Sequence, residues 1–593
     1  MTRRSLRKTK IVCTLGPAVD NDESVESLLK AGMNVARFNF SHGTHDEHLE
    51  RIRRLREASA RTEIPCATLL DTKGPEIRTG IIAGDQKINL IPGHRITLSS
   101  QQFEGDQERI SVSYTKLPQE VRPGGHIYVA DGLIDLEIEA IEDTEIRCTV
   151  RSGGTIGSRK NVNVPGVRTS LPAVTEKDEA DIAFGVSVGM DYVAASFIRK
   201  PGDVRMIREI IESHGASIPI IAKIEDEEGL DNIDEIVRVA GGVMVARGDL
   251  GVQLSIEEIP LAQKRIIQKC NRENKPVITA TQMLDSMIHN PSPTRAELTD
   301  VANAIFDGTD AVMLSGETAS GKYPIKSVET MDRIALTVES SPEYVERNRS
   351  YFSFHSGSGD IGHAVAKAAY VVAEEIEAKA IVAPTLRGNT PRIISKFRPE
   401  QAIIAVTASE QAARELLLNW GIFPVTTELV KDSEQMIQNA LRLAMKYGYA
   451  DKFDKVVSTA GIPIHSPIPV NTIKVHFLGN ILGRSRQGIG ASVSGRVVRG
   501  TTLEEALARA KGDNSEILVV REFDSSFLEL ARSLAGIISE EPTEVDPEEI
   551  ARANPDIVVL ADLAGATDIF EDSQFVTLSG QEKLVYEGLI EES

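Results

Sequence analysis

Short apolar runs alternate with stretches of helical periodicity through the first 345 residues. The runs read Lys10-Ile-Val-Cys-Thr, Asn34-Val-Ala-Arg-Phe, Cys66-Ala-Thr-Leu-Leu, Tyr192-Val-Ala-Ala-Ser, Pro219-Ile-Ile-Ala-Lys, Val243-Met-Val-Ala, Pro276-Val-Ile-Thr and Ala311-Val-Met-Leu. Each is apolar enough to be buried on both faces, as strands of a parallel sheet are. Helical patterns such as Asp22 to Lys30 and Glu257 to Arg272 lie between them. Eight such units predict a closed (β/α)8 barrel over residues 1–71 and 170–345. Residues 72–169 break the rhythm. They carry turn signals at Pro92-Gly93, Pro123-Gly124-Gly125, Asp131-Gly132 and Gly153-Gly154. That pattern predicts a small inserted β-barrel domain in the loop after the third strand.

Alternation resumes at 346–478, with a helix over 360–376 and strands at Ala380-Ile-Val-Ala, Ala402-Ile-Ile-Ala-Val and Lys455-Val-Val-Ser. This predicts an open α/β domain. A Gly- and Arg-rich connector then leads into 479–593, predicted to be an extra α/β domain. Its strands are expected at Ala491-Ser-Val-Ser-Gly-Arg-Val-Val, Glu516-Ile-Leu-Val-Val and Asp556-Ile-Val-Val-Leu.

Charge sharpens this division. The chain of 593 residues carries a net charge of −21. From Thr501 onward 22 acids face 6 bases, so −16 of that charge sits in the last segment. Nucleic-acid binding needs a basic face, so it is not expected. No apolar run reaches the ~18 residues a membrane helix needs, so no membrane role is expected. Four cysteines with no C-x-x-C pair suit a reducing cytoplasm.

In a closed parallel barrel, chemistry gathers at the C-terminal ends of the strands. Those ends are polar here: Arg37-Phe-Asn39-Phe-Ser41-His42, Asp71-Thr72-Lys73-Gly74-Pro75-Glu76-Ile77-Arg78, Lys223-Ile224-Glu225, Arg247-Gly248-Asp249, Thr281-Gln282 and Ser315-Gly316-Glu317. A single charge after a strand usually marks its solvated end. Six polar ends in one register converge on one mouth. Cations (Arg37, Arg78, Lys223) beside carboxylates (Asp71, Glu225, Asp249) suit an anionic substrate held through a divalent metal.

The segments Asn34-Val-Ala-Arg-Phe-Asn-Phe-Ser-His-Gly, Asp71-Thr-Lys-Gly-Pro-Glu-Ile-Arg, Ile221-Ala-Lys-Ile-Glu, Met244-Val-Ala-Arg-Gly-Asp-Leu-Gly-Val, Thr279-Ala-Thr-Gln-Met-Leu and Met313-Leu-Ser-Gly-Glu-Thr-Ala resemble pyruvate kinases, from about Lys8 to Gly479. The resemblance implies transfer of the phosphoryl group of phosphoenolpyruvate to ADP, giving ATP and pyruvate. It implies that Lys223, Arg37 and Thr281 are catalytic, and that Arg37, Lys223, Gly248, Asp249 and Thr281 contact substrate. Glu225 and Asp249 would hold Mg2+ (or Mn2+), and Asn39, Ser41, Asp71 and Thr72 would hold K+. Arg78, His42, Lys160 and Asn39 match nucleotide positions. Glu76 matches a position where relatives with glutamate need potassium and relatives with lysine do not. A homotetramer is the expected assembly.

Thr385-Leu-Arg-Gly-Asn-Thr390 resembles the family's effector loop, with Thr385, Arg387, Gly388, Asn389 and Thr390 as binding residues. Arg387 stands where a small hydroxyl residue is usual, and Gly461-Ile-Pro-Ile-His-Ser-Pro lacks the glycine-rich loop of bisphosphate-activated relatives. The expected effector is AMP or a sugar monophosphate. The segment Ser485 to Glu541 resembles the swivelling domain of phosphoenolpyruvate-utilising enzymes. The last histidine of the chain is His476, so this domain can carry no phosphohistidine and is expected to be structural or regulatory. Two competing readings are a Schiff-base lyase built on Lys223 and a sensor that has lost activity. A Schiff-base lysine wants a neutral amine, which nearby carboxylates oppose, and the filled motif positions oppose decay.

Overall fold

The computed structural model describes residues 6–354, 360–429, 432–462, 468, 470–512 and 514–588. Most of the Gly461-to-Pro467 segment, residues 463–467, therefore lies outside the described residues. The chain divides into two units. One comprises Met1–Tyr449 and Val457–Lys474, the other Ala450–Val456 and Val475–Ser593.

In the first unit eight parallel strands close a barrel in chain order: β1 (Lys10–Thr14), β2 (Val35–Asn39), β3 (Ala67–Asp71), β4 (Tyr192–Ala195), β5 (Ile220–Ile224), β6 (Gly242–Ala246), β7 (Val277–Ala280) and β8 (Ala311–Leu314). β8 pairs back onto β1, with Lys10 opposite Ala311. Both strand faces are buried. Val12, Val35, Leu69, Ala194, Ile221, Met244, Ile278 and Met313 fill the interior. Their neighbours, among them Ile11, Phe38, Leu70, Val193, Ala222 and Val243, pack against the surrounding helices. This is why the runs read as continuously apolar. Truncating a fully buried side chain such as Phe38 to alanine would cost about 3–5 kcal/mol. Leu417 and Leu418, from a single turn in the α/β region, join the interior cluster and close the N-terminal end of the barrel.

The helices start and stop where their chemistry directs. Asn21 caps the helix Asp22–Ala31 through Ser24 N, and Gly32 ends it at φ 116°. Thr44 and Glu47 form a reciprocal cap at the start of the helix His45–Thr62.

Between β3 and β4 the inserted segment forms a seven-stranded sheet, in the order Ile77–Arg78, Asn161–Asn163, His126–Val129, Ile134–Glu142, Glu145–Ser152, Arg95–Ser99 and Arg109–Ser111. Its two edges meet through a bridge between Thr79 and Val112, flanked by Gly80 N to Ser111 O at 2.7 Å and Ser113 N to Arg78 O at 2.8 Å. The sheet thus curls shut around its own core, which includes Leu98, Ile110, Ile127, Leu136 and Ile146.

The α/β region holds a five-stranded sheet ordered Ile422–Thr426, Ala402–Thr407, Ala380–Pro384, Lys455–Ala460 and Thr472–Phe477. The strand Ile422–Thr426 escapes the sequence pattern because Pro424 interrupts it. It lies at the sheet edge, where a missing backbone donor is tolerated.

The second unit is built on an eight-stranded sheet, with Ser492–Arg499, Glu516–Val520, Gly536–Ser539 and Val558–Ala561 side by side at its centre. At the end of the strand Gly536–Ser539, Glu540 accepts from Thr567 N at 3.0 Å, and Ser539 Oγ donates to Glu541 O at 2.6 Å. These residues hold the sheet's own loops together.

Candidate active site

Strand alternation decides which polar side chains share a space. Residues two apart face the same way, so on five of the strands an interior apolar residue is followed by an interior polar one near the C-terminal end. Val12 leads to Thr14, Val35 to Arg37, Leu69 to Asp71, Ala194 to Ser196, and Ile221 to Lys223 and then Glu225. Asn39 on β2 pairs directly with Asp71 on β3. The barrel register therefore gathers side chains from five strands into one layer at its mouth.

That layer is a buried ionic network. Arg37 Nε donates to Asp71 Oδ2 at 2.6 Å, and Arg37 Nη1 donates to Thr14 Oγ1 at 2.9 Å. Lys223 Nζ donates to Asp71 Oδ1 at 3.0 Å and Ser196 Oγ at 2.6 Å, and it lies 3.0 Å from Glu225 Oε1. Asp71 and Glu225 are almost wholly buried, and Lys223 is only 9% exposed. Burial opposes charge on Asp71, but Arg37 and Lys223 outweigh it and hold its carboxyl below the usual range. Burial likewise opposes the Lys223 ammonium, and Asp71 and Glu225 outweigh it, so the lysine stays charged well past its ordinary value.

Glu225 and Asp249 behave differently. Burial raises both carboxyls. Lys223 relieves each only in part, while Asp249 pushes the Glu225 carboxyl further up, and Asp131, Glu76 and Asp71 do the same to Asp249. Asp249 lies in the first turn of the helix Arg247–Gln253, directly after β6. Glu225 is buried and Asp249 half-buried, and together they offer hard oxygen donors of the kind a divalent ion takes. The donor chemistry fits a divalent ion. Asn39, Ser41, Asp71 and Thr72 offer oxygen donors only, which fits an alkali cation. In this structure Asn39 Oδ1 accepts from Ser41 N at 3.1 Å, and Thr72 O accepts from Ser196 Oγ at 2.7 Å.

Thr281 is held in the left-handed region at φ 69°, followed by Gln282 at φ 54°. For a β-branched residue this is strained backbone, costing on the order of 1–3 kcal/mol. Arg247 secures it, donating from Nη2 to Thr281 O at 2.7 Å and from Nε to Ala280 O at 3.2 Å, with Asp300 at 2.7 Å behind it. Gly248 N donates to Thr281 Oγ1 at 2.8 Å, which ties two expected substrate contacts together. Arg247 and Glu317, which the strand-end pattern also brought forward, serve the backbone. Glu317 accepts from Leu284 N and Ser315 N at 3.0 and 2.8 Å.

Three of the four expected nucleotide residues, Arg78, His42 and Lys160, lie outside the ionic layer, whereas Asn39 stands opposite Asp71. Arg78 pairs with Glu76 at 2.6 Å and donates to Arg159 O at 3.0 Å. His42 and Lys160 are exposed. A cleft of about 290 Å³ opens beside Asp249, between the inserted sheet and the barrel mouth, with Glu76, Asn163, Phe197 and Gln253 on its walls. In the effector loop, Gly388 takes φ 80° and donates from N to Thr385 Oγ1 at 3.0 Å. Thr390 is buried there, and Arg387 and Asn389 are exposed.

Sequence reasoning missed Ser196, Thr14 and Phe197. Ser196 and Thr14 stand two residues beyond Ala194 and Val12, so the alternation that exposes Asp71 also points to them. Phe197 acts through its backbone. At φ 54° it donates from N to Glu225 Oε2 at 2.5 Å, and nothing in its side chain signals this.

Known proteins match this arrangement. The sequence profile for the pyruvate kinase barrel domain matches residues 6–328, and that for the pyruvate kinase alpha/beta domain matches residues 363–476. Pyruvate kinase from Geobacillus stearothermophilus is 46% identical over 588 residues, covering 98% of this chain and 99% of its own. Pyruvate kinase from Sporosarcina psychrophila is 44% identical over 589 residues with the same coverage. The crystal structure of a pyruvate kinase from Cryptosporidium parvum superposes with a TM-score of 0.76 at 41% identity, over 80% of this chain and 96% of that one.

Proposed function

The chain belongs to the pyruvate kinase family, in its long bacterial form with a C-terminal extension, and from that premise we propose how its barrel mouth divides the work. The family's reaction transfers the phosphoryl group of phosphoenolpyruvate to ADP, giving pyruvate and ATP, and needs a divalent and a monovalent cation. A nucleotide oxygen bonds to phosphorus as the bond to the enolate oxygen breaks, and the enolate then takes a proton at carbon. Such transfer depends on positioning and charge stabilisation.

Lys223 and Arg37 face the transferring phosphoryl group. The observation that carries this reading is Lys223: a buried ammonium held charged by Asp71 and Glu225 is a preorganised positive charge, already desolvated and already aimed. The same fact opposes a Schiff-base role, which needs the free amine. Glu225 and Asp249 hold Mg2+ or Mn2+, which when bound supplies charge neutralisation at the substrate oxygens. Asn39, Ser41, Asp71 and Thr72 hold K+. Gly248 and Asp249 position the substrate. Thr281 orients the water chain that delivers the proton, since its own hydroxyl is too weak an acid to act alone. Arg78, His42, Lys160 and Asn39 receive the nucleotide, and the inserted domain closes over it to exclude water.

The loop Thr385–Thr390 binds a phosphorylated effector, AMP or a sugar monophosphate, through its hydroxyls and backbone amides. The enzyme works as a cytoplasmic homotetramer, with the acidic C-terminal domain structural or regulatory. Replacing Glu225 with glutamine tests the central assignment. The divalent-ion concentration giving half-maximal pyruvate formation should rise roughly 10- to 100-fold. An unchanged requirement would refute the role of Glu225.

A further inference from the structure

The inserted domain joins the barrel through two straps, and both end on one short segment. The outgoing strap begins at Thr72. Ser196 N donates to Thr72 Oγ1 at 3.1 Å, and Ser196 Oγ donates to Thr72 O at 2.7 Å. Gly74, at φ 73°, lies so close that a Cβ there would sit 2.7 Å from Ser196 Cβ and 2.9 Å from a Phe197 ring carbon. The returning strap ends near Leu171. Arg199 holds it, donating from Nη1 to Thr169 O at 3.1 Å and from Nη2 to Leu171 O at 2.7 Å. Arg199 is 7% exposed, so this grip is made out of water. Its own backbone is fixed, with N donating to Asp203 Oδ2 at 3.0 Å and O accepting from Asn232 Nδ2 at 2.8 Å.

Three residues of the same segment, Ser196 to Ile198, hold the chemistry. Ser196 Oγ accepts from Lys223 Nζ at 2.6 Å. Phe197 N donates to Glu225 Oε2 at 2.5 Å from a strained backbone. Ile198 N donates to Lys223 O at 3.3 Å. A segment anchored at both ends to the straps and bonded in its middle to two charged groups cannot shift at one place alone.

We propose that Ser196–Arg199 couples the seating of the inserted domain to the placement of Lys223 and Glu225. Arg199, which bonds to neither group, is then a positioning residue for the reaction, and Ser196 is its relay to Lys223. The proposal rests on the roles given above to Lys223 and Glu225. Its physical content is geometric: a shift of about 1 Å at a charged group near the reacting atoms can cost on the order of 10²-fold in rate.

The test is Arg199→Gln, Arg199→Lys, Ser196→Ala and the Ser196→Ala/Arg199→Gln pair in the full chain. Each is assayed for pyruvate formation at saturating divalent ion and for backbone amide exchange over 164–174. Arg199→Gln should lower kcat roughly 10- to 100-fold, leave KM for phosphoenolpyruvate nearly unchanged and speed exchange in the returning strap. Arg199→Lys, which can still reach one carbonyl, should restore part of kcat. The double variant should lose clearly less than the product of the two single losses, because both act through one segment. Wild-type kcat in Arg199→Gln, independent losses in the double variant, or a fall in kcat with unaltered exchange would each overturn the coupling. If Arg199→Gln does not fold, Arg199→Lys paired with Ser196→Ala carries the same comparison. Lys223→Met separates the two layers of argument. If it abolishes turnover while the Arg199 variants remain fully active, the coupling fails and the assignment of Lys223 stands.

Discussion

The barrel buries charge at both of its ends, and the two ends satisfy that charge differently. At the mouth, Arg37, Asp71, Lys223 and Glu225 pair mainly with one another. At the opposite end, charges are tied to the backbone and to aromatic faces. Lys10 Nζ donates to Ile422 O at 2.7 Å and lies 4.6 Å from the centre of the Phe423 ring. Glu339 accepts from Lys8 N and Thr9 N at 2.8 and 2.6 Å. Asp310 accepts from Val277 N and Trp420 N at 3.0 and 3.2 Å, with Arg398 at 3.1 Å. Charges bonded to backbone are fixed by the fold. Charges bonded to other side chains can exchange partners when an anion and a cation arrive. The contrast extends to acidity: burial brings Lys10 down to about 7, whereas carboxylate neighbours keep Lys223 charged. One end holds the barrel to the α/β region, and the other is set for chemistry.

The sharpest way to break this comparison is to make one substitution at both lysines. Lys223→Met should lower turnover by roughly 10²-fold or more, with a smaller change in substrate affinity. Lys10→Met should leave turnover unchanged. A fall in turnover at Lys10 as large as that at Lys223 would erase the distinction. The next effect concerns the monovalent ion. With saturating Mg2+ and equal ionic strength, turnover should fall severalfold when potassium is replaced by a bulky organic cation. Glu76→Lys should reduce that dependence at some cost in maximal rate, because it brings positive charge from the protein. The Glu76–Arg78 pair is the competing explanation for Glu76, and equal rates in the two cations would favour it.

Smaller effects are expected at the floor. Glu339→Gln should destabilise the protein by about 1–3 kcal/mol in denaturant melts, with kinetics unaltered. A kinetic defect without loss of stability would contradict a purely structural role. Lys10 gives a pH signature. Burial brings its folded pKa down to about 7, from 10.5 when free. Between those values the unfolded chain binds a proton that the folded chain does not, so this group makes stability rise with pH across that window. Relative to Lys10→Met, the parent protein should therefore gain stability from about pH 7 to about pH 10, read as the difference between paired melts. A constant difference would mean that Lys10 stays charged.

The barrel and most of the ionic layer were legible because both follow from period-two alternation. A run that is apolar on both faces and ends in a polar residue gives strand, register and inward direction together, as at Ile221-Ala-Lys223. Residues that act through backbone were hidden. The φ of Phe197 and of Thr281 is imposed by packing and by Arg247, and no residue type in those positions signals it. Arg199 reads as an ordinary charge at a strand end until its two carbonyl partners, Thr169 and Leu171, are in place. The edge strand with Pro424 was hidden for the opposite reason, since a local rule against proline in strands was relieved by its place in the sheet.

Leu417 and Leu418 have a consequence for the order in which the protein comes into being. The last barrel strand is complete at Leu314, yet the two leucines that stop the interior from below arrive about a hundred residues later. On the ribosome, all eight strands emerge before the barrel has its floor. A nascent chain halted near residue 345 would present an open apolar well, a target for chaperones. Barrel and α/β region therefore mature as one piece, and a chain cut between them is expected to aggregate even though its eight strands are intact.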